Sequence, residues 1–302
     1  MLIPRKSKNI HVDEKGNIYI SINIKGKEHR FTPKAGIPEF TREQIELGKE
    51  YLRQLDSKPR YEKFVQAYLE TNMRTTADEG RVSENEEKNI VILSVPIAKM
   101  VFLRLFPSPE EYIRDYKNKE NLAKKFSILN DISFYGSRIL VADSLYYDFI
   151  NFNRLDEIMT RNINYDFSEK LKGFGFKGSF MLAFDLGYDV MVPDTRLLRG
   201  YAFDVEPEIS YDKWQTIKNN EAYFLLAYEI LKQKADEWWN RLNDETRSGW
   251  ENQKYRLFHV VAWLSTLESE KVVKNFTTVL FRSLDEIDVL SRTVQRVVEQ
   301  YI

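Results

Sequence analysis

The chain has 302 residues, 43% hydrophobic and 14% aromatic, which suits one large domain or two modest ones and excludes a disordered chain. It carries no cysteine and three histidines, so disulfides, a thiol nucleophile and a cysteine-held zinc or iron–sulfur site are excluded, and no metal or cofactor is expected. The formal net charge of -1 excludes an overall basic protein but not a local basic face, on which phosphate binding depends.

Residues 9–32 read as strands. Ile18, Ile20, Ile22 and Ile24 alternate with Tyr19, Ser21 and Asn23, the period of a half-buried antiparallel strand. Glu14-Lys15-Gly16-Asn17 and Lys25-Gly26-Lys27 supply the turns, which gives a three-stranded meander over residues 1–38. Residues 34–38 read as a linker, and residues 39–302 as a helical region.

Thr41 with Gln44 has capping-box spacing, and Ile45, Tyr51, Leu52 and Leu55 continue as an apolar stripe. Tyr61, Phe64, Val65 and Tyr68 repeat it, and residues 75–85 read as a polar loop. Ser108 caps a helix starting near Pro109. Helical spacing returns over residues 138–150, from Asn151 or Asn153 through Ile158, and, beyond Pro207, over residues 223–242, 255–267 and 284–298. Asp166 is a candidate cap for a short helix leading into residues 171–179.

Residues 171–179 hold the strongest chemical signal, Leu-Lys-Gly-Phe-Gly-Phe-Lys-Gly-Ser. Gly173 and Gly175 suit a tight turn between two helices, whose second N-terminus offers backbone amides to a phosphate. An ordinary helical corner has the same glycines. Lys177 lies on the first turn, as a nucleophile if held neutral or as a surface cation meeting phosphate. After an apolar stretch comes Val192-Pro193-Asp194-Thr195-Arg196, where Asp194 fits both a helix cap and a carboxylate that stabilises developing positive charge and helps deprotonate the nucleophile. Lys170, Lys172, Lys177, Arg196 and Arg199 give this region a basic bias, which a solvated surface would also show.

Gly173-Phe174-Gly175-Phe176-Lys177 followed by Val192-Pro193-Asp194-Thr195-Arg196 resembles the helix-hairpin-helix DNA glycosylase superfamily, in the style of the 8-oxoguanine glycosylase/lyases. Phe134-Tyr135-Gly136-Ser137-Arg138 is a looser match to the segment that begins a cleft-lining helix, and the resemblance covers about residues 128–203. Lys172 stands where a proline often precedes the first glycine, and the cysteines of the iron–sulfur members are missing.

The resemblance implies a mainly α helix-hairpin-helix DNA glycosylase fold with a small N-terminal antiparallel β unit. It implies excision of a damaged or modified base by base flipping, with Lys177 and Asp194 catalytic and associated abasic-site lyase activity through a lysine Schiff base. Gly173, Gly175, Gly178, Arg196 and Arg199 would meet DNA; Phe134, Tyr135, Trp250 and Trp263 are candidates for base pocket or wedge, core packing being the alternative. A monofunctional glycosylase and a non-catalytic helix-hairpin-helix DNA-binding protein are the other readings. The expected partner is double-stranded DNA carrying such a base. With no bilayer-length apolar run and no apolar secretory segment at residues 1–6, no membrane partner is expected, and the compartment is cytoplasmic, at the nucleoid.

Overall fold

The computed structural model describes residues 9–72, 83–85, 90–92, 102–118, 120–121, 125, 152–169, 171 and 174–266. These residues are mainly helical, with a small antiparallel sheet. The strands are β1 (Ile10–Val12), β2 (Ile18–Ile24), β3 (Lys27–Pro33), β4 (Ser83–Asn85), β5 (Ile90–Ile92) and β6 (Phe203–Glu206). The helices are α1 (Arg42–Asp56), α2 (Arg60–Asn72), α3 (Pro109–Lys117), α4 (Phe152–Ile163) and α5 (Phe176–Leu186), then α6 (Thr195–Leu197), α7 (Gln215–Asn219), α8 (Glu221–Arg241), α9 (Asp244–Arg247) and α10 (Lys254–Ser265). Among the described residues no helix is long and apolar enough to cross a membrane.

Two compact units form, one from residues 1–57 and 175–268, the other from residues 58–174 and 269–302. This division differs from a boundary at residue 38. The sheet does not stand alone: its order is β1-β2-β3-β6, so the meander gains a fourth strand from far along the chain. Phe31 pairs with Val205 in that register and meets Phe203 and Trp214 edge to face. The expected alternation holds on β2, where Ile20 and Ile22 are buried. Lys25 and Gly26 both take positive φ, 54° and 81°, the two-residue turn that matches strand twist.

In this first unit the α1 capping box is present on both sides: Thr41 Oγ1 accepts from Gln44 N at 3.2 Å, and Thr41 N donates to Gln44 Oε1 at 2.9 Å. Ile45, Leu52 and Leu55 are buried on the inner face, and α1 packs on α10. Gly48 is the point of closest approach, because a Cβ there would lie 2.7 Å from Val261 Cγ2. Phe180, Phe224, Leu231, Leu257 and Phe258 complete a core shared by α5, α8 and α10.

In the second unit Ser108 Oγ caps α3 by accepting from Glu111 N at 3.2 Å. The rings of Phe102, Phe106 and Tyr112 pack beside it with centroids 5.1 Å apart along the series. Ser83–Asn85, expected as loop, is a strand because it pairs antiparallel with Ile90–Ile92. Asp166 caps a bend and not a helix: its Oδ1 accepts from Ser168 N at 3.0 Å. Residues 138–150 and 284–298 lie outside the described residues.

Candidate functional site

The site grows from α5. Its N-cap is Gly175, in extended conformation, which has no side chain with which to cap the first turn. Lys177 is in that first turn, half-buried, while Gly178, Ser179 and Phe180 behind it are buried. The helix ends at Gly187, whose φ of 99° lets its N–H turn back to the Ala183 and Phe184 carbonyls.

From there the chain runs through buried surroundings without regular secondary structure. Val190, Met191 and Val192 are almost fully buried, so their backbone polar groups need partners inside. Tyr228 of α8 meets the Met191 backbone, and Val192 N donates to His259 Nδ1 at 3.3 Å. Asp189 Oδ1, accepting from Tyr255 N and Arg256 N at 2.8 and 3.0 Å, ties the start of α10, which carries His259, to this segment.

Asp194 follows this segment as the N-cap of α6, its Oδ1 accepting from Leu197 N at 2.8 Å. A five-residue π-helix (Leu198–Ala202) follows and hands the chain to β6. The cap expected for Asp194 is therefore present, and it fixes the carboxyl's direction. Burial pushes the Asp194 pKa up; the Leu197 amide and the charges of Lys177, Arg196 and Lys218 oppose that rise.

A further lysine joins the group. Lys218, on α7, is 9% exposed, and α7 packs on α5. Burial first, and then the charge of Lys177, push the Lys218 pKa down to about 8, against the pull of Asp194. His259 sits edge to face on Phe184, ring centroids 4.9 Å apart, and burial, Lys177 and Arg256 push its pKa down to about 3. With Nδ1 accepting, the neutral ring carries its proton on Nε2.

Within the first unit the charge of Lys177 thus acts on Asp194, Lys218 and His259, and Asp194 and Lys218 act on each other. Among the described residues no group of three or more histidine or acidic side chains could hold a metal ion. Compared with protein-family models, curated proteins and solved structures, the chain matches none.

Of the residues singled out in the sequence, Lys177, Asp194 and Arg196 come together here, with Gly175 and Gly178 at the head of α5. The Arg196 guanidinium lies over the Trp263 ring, 5.7 Å from its centroid, which sets Trp263 beside the group. Arg199 is exposed on the π-helix. Trp250 is placed elsewhere, in a turn before α10 with Arg53 of α1 over its ring at 5.5 Å, an ordinary packing role. Gly173, Phe134 and Tyr135 lie outside the described residues. Lys218 and His259 were not singled out; a histidine inside Leu257-Phe258-His259-Val260-Val261 was the one local signal, and Lys218 had none.

The histidine has a pH signature. Below about pH 6.5 the unfolded chain protonates His259, whereas the folded chain resists to about 3. Its effect on stability is nil above that window, and stability falls as pH drops through it, by at most about 1.4 kcal/mol per pH unit. Thermal unfolding of wild type and His259→Asn should show the wild type losing more stability between about pH 6.5 and pH 4. Parallel pH curves would contradict a buried neutral ring.

Proposed function

We propose that the protein is a DNA glycosylase of the helix-hairpin-helix fold, excising a damaged or modified base from double-stranded DNA, with associated abasic-site lyase activity. The observation that carries this reading is that the charge of Lys177, on the first turn of a helix whose N-cap is glycine, acts on the carboxyl of Asp194. A primary amine and a carboxylate in one partly dehydrated cluster suit substitution at a sugar carbon, where positive charge develops and a nucleophile must be close.

In this mechanism the target nucleotide leaves the stack, at a cost of a few kcal/mol. The Asp194 carboxylate stabilises the oxocarbenium character growing on the deoxyribose. Lys177 Nζ bonds to C1′ as the C1′–base bond breaks; its electron pair leaves with the base, which takes up a proton. Ring opening gives a Schiff base, and loss of a C2′ proton expels the 3′ phosphate. The backbone amides of the turn after Gly175 and the cations Arg196 and Arg199 support the DNA backbone, which positions the enzyme without reading sequence. The protein works inside the cell, at the nucleoid.

Mass spectrometry of bases released from a panel of oxidised, alkylated and otherwise modified duplexes tests the reading. Release of a base by wild type is the expected result. Release that survives in Lys177→Ala assigns attack to water and makes the enzyme monofunctional. Salt-sensitive DNA binding with no release from any duplex contradicts catalysis and leaves a DNA-binding protein.

A further inference from the structure

From Arg256 to Leu264 every residue of α10 is buried except His259 and Trp263, which are partly exposed. Four residues apart, they lie one above the other on one face of the helix. Val192, which bonds the His259 ring, and Phe184, which meets it edge to face, are both buried, so the exposure belongs to the ring's remaining edge. Nδ1 accepts from Val192 N at 3.3 Å, which leaves the proton on Nε2. Nε2 makes no hydrogen bond among the described residues, yet it is not one of their buried unpartnered atoms, so this N–H reaches solvent.

That donor stands beside Asp194. Val192 is bonded to both: its N–H goes to His259, and its carbonyl accepts from Asp194 N at 2.7 Å, a tight turn across Pro193. Two residues after Asp194, the Arg196 guanidinium lies over the Trp263 ring at 5.7 Å. One face of α10 therefore meets the chain on either side of Asp194, through His259 and through Trp263. The charge of Lys177 acts on both Asp194 and His259.

A base that departs with the electrons of the C1′–base bond gathers negative charge, and a ring carbonyl oxygen holds much of it. A fixed N–H donor at that oxygen binds the transition state more strongly than the ground state. Resting on the glycosylase reading above, we propose that His259 Nε2–H donates to a carbonyl oxygen of the flipped base, so that the site takes neutral, carbonyl-bearing bases and not cationic alkylated ones. As Lys177 Nζ bonds to C1′, the C1′–base bond breaks and its electron pair passes to the base and its oxygen. The His259 proton stays on Nε2 throughout, and the base takes its proton from water. Burial and the charges of Lys177 and Arg256 oppose protonation of the ring, which therefore donates without carrying charge. A cationic base would meet Lys177 and Arg196, and it would leave as a neutral molecule with no new charge for the donor to stabilise.

The test is single-turnover release from duplexes carrying 8-oxoguanine, hypoxanthine or uracil, set against 7-methylguanine and 3-methyladenine, using the full chain as wild type, His259→Asn and His259→Gln. Wild type should release at least one neutral base about 100-fold faster than either cationic one. Asparagine places its oxygen where Nδ1 lies, so it keeps the Val192 bond and loses the outer donor. Glutamine places its amide near Nε2, so it keeps the donor and loses the Val192 bond. His259→Asn should therefore cut release of the neutral base about 100-fold, and His259→Gln less than about 10-fold. Equal losses, or the reverse order, would make the ring a clasp on Val192 and overturn the proposal. Faster release of a cationic base also overturns it. If neither variant folds, nitrogen-15 NMR of the wild-type ring decides. The proton should be on Nε2, and the Nε2 signal should move with a duplex carrying the uncleavable 2′-fluoro form of a neutral base but not with an abasic-analogue duplex. A proton on Nδ1, or the same response to both duplexes, overturns it. No release from any duplex overturns the glycosylase reading itself, a result distinct from release that is indifferent to His259→Asn, which overturns the proposal alone.

Discussion

Asp194→Asn should cut base release about 100- to 1,000-fold while leaving the fold intact. The two roles of this residue separate cleanly in that substitution. Asparagine is as good an N-cap as aspartate, so its side-chain oxygen still accepts from Leu197 N, and unfolding should shift by less than about 0.5 kcal/mol. What disappears is the negative charge facing Lys177 and Lys218. Single-turnover release and thermal melting of the same sample measure the two effects. Undiminished release would reduce Asp194 to a helix cap. Asp194→Ala is the complementary variant, losing the cap as well, for about 0.5–2 kcal/mol of additional destabilisation.

Asp56→Ala should destabilise the first unit by about 3 kcal/mol. Arg256 is 0% exposed, and Asp56 at the end of α1 receives both of its terminal nitrogens, at 2.9 and 2.8 Å. Gln253 accepts a further bond from the guanidinium at 2.9 Å, Arg256 Nε has no hydrogen-bond partner, and the group lies over the Phe184 ring at 5.1 Å. Removing the carboxylate strands a buried cation. The Asp56 side chain keeps 33% exposure, so the expectation sits at the low end of the range for buried pairs. Urea denaturation should show it, and Asp56→Leu combined with Arg256→Met should recover much of the loss because no charge is then left alone. A change below about 0.5 kcal/mol in Asp56→Ala would mean the guanidinium is solvated after all.

The two substitutions act at opposite ends of one chain of contacts. Arg256 fixes α10 against α1 and α5, α10 presents His259, and His259 holds the Val192 amide two residues before Asp194. Much of this path was legible locally. The capping box at Thr41, the Ser108 cap and the isoleucine alternation of β2 follow from residues a few positions apart, and each has the geometry expected. Lys177 and Asp194, the two residues named as catalytic through the resemblance, fall in one unit, where the charge of Lys177 opposes the rise in the Asp194 pKa.

The parts that were not legible depend on distant partners. Phe203–Glu206 is too short to show a period, and it is a strand because β3 offers a free edge. Lys218 lies in Gln-Thr-Ile-Lys-Asn-Asn, which reads as a solvated turn, and it is buried where α7 packs on α5, α8 and the 3-10 turn. The boundary between units falls at Phe174 and Gly175, inside the hairpin motif, where no linker composition marks it.

The most direct measurement is borohydride trapping of the wild-type chain on a duplex containing an abasic site, followed by peptide mapping of the modified residue. The account predicts one covalent adduct, on Lys177, absent in Lys177→Ala. An adduct on any other lysine, or no adduct at all, would contradict Lys177 as the nucleophile.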